Sequence, residues 1–198
     1  RQMCIRDRFI QDAPLVIVFV ADHHRWFDYY RMNGVKRYAE KHGLSFTSPA
    51  EGDLMLAVED AMAAAQNSVI AAESMGIGSC YIGDILENYE TVKDLLQLPD
   101  ETFPIAMLCY GHYKQEHKKV FRKRFDRRFV VFEDSYRQLQ KEEYEQMFAE
   151  RAEKEFLTQN KYAAKNYAQQ FYARKTGASF SKEMTRSVKE ALKAWTGK

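Results

Sequence analysis

Between Asp53 and Gly83 apolar side chains recur at Leu54, Val58, Met62, Ala65, Val69, Ala72 and Met75. Steps of three or four keep one face of an α-helix turned inward. The opposite face is scarcely more polar, with Ala57, Ala61, Ala63, Ala64, Ile70 and Ala71. A helix apolar all round is expected in a large core or an interface. Alanine favours the helix, and its small side chain lets neighbouring backbones come close. At 1.5 Å per residue the stretch from Leu54 to Met75 spans about 33 Å. Gly76 then supplies a left-handed cap, and Gly78 opens an extended run, Ser79–Ile82, closed by Gly83.

The flanking sequence alternates buried runs with polar breaks. Leu15–Val20 is a continuous β-branched and aromatic run, predicted as a strand buried on both faces, with Pro14 just before it. Trp26 to His42 is aromatic and mixed in charge, and is predicted helical with Gly43 as its stop; the Ser- and Pro-containing stretch to Gly52 is a loop. Asn88 is the expected N-cap of a short helix with Val92, Leu95 and Leu96 inward, ended by Leu98-Pro99. Phe103–Gly111 is a second buried strand, and Phe129–Phe132 a further one. From Gln138 the pattern turns to charged helix carrying Tyr144, Phe148, Tyr167 and Phe171; Gly177 interrupts it, and Met184, Val188, Leu192 and Trp195 mark a last amphipathic helix.

Composition narrows the class. At 198 residues and 45% hydrophobic, the chain suffices for one real core without covalent staples. A net charge of +2 points to no polymer partner, and no run of about 18 apolar residues is present to span a membrane. Three cysteines, Cys4, Cys80 and Cys109, have no C-x-x-C spacing; Cys80 and Cys109 lie in apolar runs and read as small core hydrophobes, which suits a reducing cytoplasm. His23 and His24 are adjacent but point apart on a strand and have no partner at a ligand spacing, so a solvated strand end is expected and no metal. Ser74 and Ser79 lack a nucleophile-elbow setting, and Gly76-x-Gly78 lacks the rest of a dinucleotide fingerprint.

One combination is specific. AAES-x-G-x-G-x-x-YIG over 71–83, LL-x-LP over 95–99 and P-x-x-x-L-x-x-G over 104–111 together resemble the FMN-dependent nitroreductase family, in particular its NADPH-using branch of oxygen-insensitive nitroreductases and flavin reductases. The resemblance runs from about Pro14 to the C-terminus. It implies an α+β fold with a mixed central sheet packed by helices around the long buried helix, a C-terminal helical extension, and a homodimer whose C-terminal helices reach across. Members begin some tens of residues earlier, with an Arg-Ser-type phosphate motif and an Asn/Gln loop against the flavin ring. The expectation is therefore a single domain over 9–198 lacking its N-terminal part, with Arg1–Arg8 as sequence foreign to the family; the alternative is a divergent natural start.

The resemblance also assigns roles. Tyr81, Ile82, Gly83 and Asp84 match the segment that packs on the flavin and offers backbone N–H groups beside its redox nitrogen; relatives commonly carry a second glycine where Asp84 stands. A glycine lets backbone approach a ring closely. Arg122, Lys123 and Arg124 match the basic motif whose first and third positions contact the FMN phosphate, a task for forked guanidinium donors. Arg174 and Lys175 are the local candidates for the NADPH 2′-phosphate.

The implied function is FMN-dependent NAD(P)H oxidoreduction of nitroaromatics, quinones or flavins in a ping-pong cycle. FMN and NADPH are the cofactors, small electron acceptors the partners, and neither nucleic acid nor membrane is involved. The alternatives are a catalytically impaired flavin-binding fragment and, further off, a nucleic-acid binder through 122–128 and the C-terminal helices, which would show a steep salt dependence.

Overall fold

The computed structural model describes residues 8–113 and 123–197. The chain divides into two compact units, one of residues up to 115 together with 183–198 and one of residues 116–182. The order in the first unit is α1 (Arg8–Asp12), β1 (Leu15–Asp22), α2 (His24–Met32), α3 (Val35–Lys41), α4 (Glu51–Ser74), β2 (Gly78–Ile82), a 3-10 turn (Gly83–Leu86), α5 (Tyr89–Leu96) and β3 (Thr102–Gly111). The second holds a 3-10 turn (Arg127–Phe129), α6 (Lys141–Glu155) and α7 (Tyr167–Arg174); α8 (Ser179–Thr196) begins there and gives its residues from 183 onward to the first.

The sheet has the order β1-β3-β2, so the last strand in sequence is the central one. β3 pairs antiparallel with both neighbours, Ile17 opposite Leu108 on one side and Tyr81 opposite Leu108 on the other. The α+β class stands, but the described strands form a wholly antiparallel sheet where a mixed one was expected.

Helix α4 lies on this sheet through Ala65 and Ala72, which meet Leu108 and Tyr110. Their short side chains bring helix and sheet together, and the Ser68 hydroxyl shares a hydrogen bond with the Tyr110 hydroxyl. The helix is covered on one side only: Leu54, Ala65 and Ala72 are buried, whereas Met55, Leu56, Ile70 and Met75 are exposed. A three-stranded sheet is too narrow to enclose a helix of 24 residues, so among the described residues the helix expected in a large core or an interface is covered on one face only. Gly76, at φ +71°, reverses the chain into β2 as expected.

A second cluster closes the first unit from its far end in sequence. Trp195, 1% exposed, packs with Ala21, Leu54, Tyr89, Phe103 and Ala191, with Val188 and Leu192 against them. Its indole N–H donates to the Ala50 carbonyl at 3.1 Å, and the Asp53 carboxylate accepts the Ala50 N–H at 2.8 Å. The first turn of α4 is thus held by a residue 145 positions away. Part of the C-terminal segment expected to reach a partner is therefore spent on the chain's own core.

Other local expectations are corrected. Trp26 to His42 is two helices rather than one, parted by Gly34 at φ +67°, while Gly43 does end the second. β1 is only half covered, with Leu15 and Val16 exposed. Asn88 precedes α5 in a left-handed conformation, and its side chain makes no cap. Glu183 and Ser187 of α8 do that work, accepting the Asn88 and Tyr89 N–H groups at 3.1 and 2.8 Å. Phe129–Phe132 is not a strand: the Asp126 carboxylate accepts the Arg128 N–H at 3.0 Å and winds Arg127–Phe129 into a turn. Only Phe129 of that run is buried, and no strand pairs with it among the described residues.

The α5–α8 junction carries a forked ion pair, Arg186 Nη1 to Glu90 Oε1 at 2.6 Å and Nη2 to Oε2 at 2.9 Å, with Glu183 on the same guanidinium. Hydrogen bonding to Arg186 holds the Glu90 carboxyl down at about 2. A depressed carboxylate contributes stability that is present above its unfolded value of about 4.3 and lost as pH falls through the folded one. Both side chains are about half exposed, so solvent keeps the effect small. The stability gap between the chain and Arg186→Met, read from urea midpoints, should hold from neutral pH to about 5 and close between about 4 and 2. A gap unchanged across that window would assign it to packing of the Arg186 stem instead.

Candidate functional site

Strand β2 delivers the first group of candidates. Tyr81 faces α4, and its hydroxyl donates to Gln66 Oε1 at 3.4 Å; burial, and secondarily Tyr110, raise its pKa. Ile82 turns inward and is buried. Gly83 and Asp84 follow on the surface as the first residues of the 3-10 turn. N–H groups at the start of a helical turn have no acceptor within it, so they are available to something outside. Apart from its chain neighbours, no described atom lies within 4 Å of the place a Cβ would take on Gly83, an openness it shares with Gly34, Gly43, Gly52, Gly76 and Gly197. One side of its backbone is thus bare, which is the room a flat ring would need to approach. Next to this segment Glu87 is raised by burial first, then by Asp84 and Glu183.

The second group lies in the other unit. Arg122 falls outside the described residues. Arg124 is exposed. Lys123 is 78% exposed and its ammonium sits 3.0 Å from Glu150 Oε2. Glu150, bonded to Lys154 and then to Lys123, is held at about 2.

Arg174 ends α7. Its guanidinium lies 5.7 Å from the Phe171 ring centre and 3.8 Å from Glu155, while its buried Nε has no hydrogen-bond partner. Lys175 lies over the Phe180 ring at 5.5 Å. Beside Arg174, α6 and α7 enclose a groove of about 590 Å³ walled by Tyr144, Phe148, Tyr167, Phe171 and Tyr172, with Arg151 on its rim. The sequence reading noted most of these aromatics as a packing face. What it missed is the hollow between them, because the α6–α7 angle depends on the 156–166 connection, which has no periodic signal.

A smaller cavity in the first unit, about 450 Å³, is lined by Asp22, Asp53 and Asp60 along with His23 and Trp26. Three carboxylates make it the wrong sign for a phosphate. The two histidines form a packed corner rather than the solvated strand end expected. His23 lies against Phe27 and Trp195 at 5.4 and 5.9 Å, and His24 reaches Asp28 and Glu101 at 3.0 and 3.6 Å. Glu101, buried at φ +64°, also accepts from Arg31 at 2.9 Å; nothing in the sequence pattern marks that cluster. Cys80 is exposed on edge strand β2, against the expected core role, whereas Cys109 on the central strand is buried. Among the described residues no group of three His, Cys, Asp or Glu is placed to hold a metal ion, and no helix is long and apolar enough to cross a membrane.

An antiparallel sheet covered on one face by a long alanine-rich helix is an α+β arrangement. The "Nitroreductase family" model matches residues 1–112, more than half the chain, and the protein belongs to that family. The match takes in the stretch 1–8. The NADPH-dependent FMN reductase of Bacillus subtilis (strain 168) is 38% identical over 106 residues, which are 52% of this chain and 39% of that protein. The oxygen-insensitive NADPH nitroreductase of Salmonella typhimurium is 36% identical over 100 residues, 49% of this chain and 41% of the relative. The chain spans about half the length, or less, of these curated relatives. Among solved structures, the NADPH:FMN oxidoreductase from Vibrio harveyi complexed with NAD+ superposes with a TM-score of 0.69 at 20% identity, over 95% of this chain and 71% of that one. At that identity the likeness is one of fold.

Proposed function

We propose that this chain carries the flavin seat of an FMN-dependent NAD(P)H oxidoreductase that reduces nitroaromatics, quinones or flavins by alternate binding of reductant and acceptor. The observation that carries the reading is the open backbone of Gly83 at the end of β2, where the first N–H groups of the 3-10 turn stand. FMN, when bound, supplies hydride acceptance and return. The chain's own part is to hold and orient. Ile82 anchors the strand end in the core and the exposed Tyr81 reaches Gln66 on α4, which holds Gly83 and Asp84 in place to present their amides. The Asp84 carboxylate, exposed beside them, adds negative charge where a reduced anionic ring would gather it.

Arg122 and Arg124 are assigned to the phosphate, with Lys123 at their side. Its contact to Glu150 gives it a lesser share. For NADPH, Arg174 and Lys175 supply cations, and Arg174 stands on Phe171, a wall of the aromatic groove. The exposed Met55, Leu56, Ile70 and Met75 of α4 are the apolar surface that a homodimer would cover. The two free thiols of the described residues suit a cytoplasmic setting.

The second reading is a flavin binder without turnover. Adding FMN to flavin-free protein separates the two. Saturable quenching of flavin fluorescence, followed by NADPH oxidation with a quinone as acceptor, is the expected result. Saturable binding without NADPH oxidation would leave the binding-only reading, and the absence of saturable binding would remove both.

A further inference from the structure

In the antiparallel pair β2–β3 the register sets Cys80 directly opposite Cys109. Residues so placed project from the same face of the sheet; their Cα separation of about 4.5–5.5 Å falls within the range that a disulfide spans, and their Cβ separation of about 4.5–5.5 Å meets it at the near end, so that bond formation draws the edge strand slightly inward. The neighbouring positions fix which face this is. Leu108 and Tyr110 turn toward α4, as does Tyr81, so Cys80 and Cys109 share the opposite side. Their accessibility differs. Cys109 lies on the central strand, flanked by Val16 and Cys80, and is 4% exposed; Cys80 lies on the edge strand and is open to solvent. Both are free thiols in the structure. Neither falls within the roles proposed above.

The geometry points to a reversible redox site in which hydrogen peroxide converts the Cys80–Cys109 dithiol into a cross-strand disulfide that ties the edge strand to the sheet just before Tyr81. Cys80, the accessible partner, attacks the peroxide O–O bond as its thiolate and becomes a sulfenic acid, releasing hydroxide that leaves as water. The Cys109 sulfur then attacks the Cys80 sulfur, forming the S–S bond and expelling the second oxygen as water. The two thiols lose two electrons and two protons in all, and the peroxide gains both pairs as it is reduced to two waters. Partial desolvation raises the Cys80 thiol although its residue is exposed, and burial and then Cys80 raise Cys109, which slows the first attack. The inference does not rest on the flavin reading, because its readout is the sulfur itself.

The test uses the full chain carrying Cys4→Ser, treated with hydrogen peroxide, denatured and titrated for thiols. Loss of both thiols, a mass lower by two hydrogens, a Cys80–Cys109 linked peptide from chains that run as monomers without reductant, and recovery with dithiothreitol are expected. Added Cys109→Ser should leave Cys80 to proceed to sulfinic acid, and added Cys80→Ser should leave the Cys109 thiol intact. Two thiols surviving oxidation, sulfinic acid at Cys80 beside an untouched Cys109 in the two-cysteine chain, or a disulfide between chains would each overturn the proposal.

Discussion

Trp195→Ala lowers the unfolding free energy by about 3–5 kcal/mol, the largest loss expected of any single truncation in the chain. The indole is buried, packs in a cluster with elements from β1 to α8, and leaves a void that the five other buried side chains of that cluster cannot close together. Trp195→Phe separates the terms. It keeps most of the ring but removes the donor to the Ala50 carbonyl, which still accepts the Leu54 N–H at 3.2 Å. The hydrogen-bond part is accordingly modest, about 0.5–1.5 kcal/mol. Chemical denaturation of the three proteins measures both. A loss below about 1 kcal/mol for Trp195→Ala would mean that α8 is not docked in solution as it is in the structure.

On the proposed flavin seat, the double change Arg122→Ala with Arg124→Ala weakens FMN binding by roughly a hundred- to ten-thousandfold. Hydrogen bonds to a charged group contribute about 1.5–3 kcal/mol each, and two guanidinium groups would be lost. Lys123→Ala is the internal comparison. Its ammonium is engaged by Glu150 and largely solvated, so the change should alter affinity by less than about tenfold. Fluorescence titration at fixed ionic strength distinguishes the pattern. Equal effects from Lys123 and the arginines would show a diffuse basic field instead of a phosphate grip.

How far the sequence carried the reading depends on the range of the interaction involved. The long helix, its left-handed stop at Gly76 and the strand behind it were legible because each follows from neighbours within a few residues. The start of the same helix was not: Leu54 was its first periodic residue, yet it begins at Glu51, where Asp53 and Trp195 both hold Ala50. The burial pattern failed for a similar reason. Ile70 and Ala72 look alike in a hydrophobic run, and only the width of the sheet decides that one is covered and the other is not. At Phe129–Phe132 a short apolar run resembled a strand, but a side-chain bond from Asp126 outweighed it. For the site, the motif located Tyr81–Asp84, and the structure added the bare side of Gly83. The facing of Cys80 and Cys109 had no signature at all, since 29 residues separate them and strand register alone sets them opposite each other.

The first unit is discontinuous, with residues 183–198 returning to it after the whole of 116–182. This imposes an order on biosynthesis. Strands β1, β2 and β3 and helix α4 emerge from the ribosome early, yet the seam beneath Ala50 and Tyr89 stays open until Ser187 and Trp195 have left the exit tunnel. For the time needed to translate the intervening residues, α4 and α5 lack the contacts that α8 supplies at Ala50, Asn88 and Tyr89.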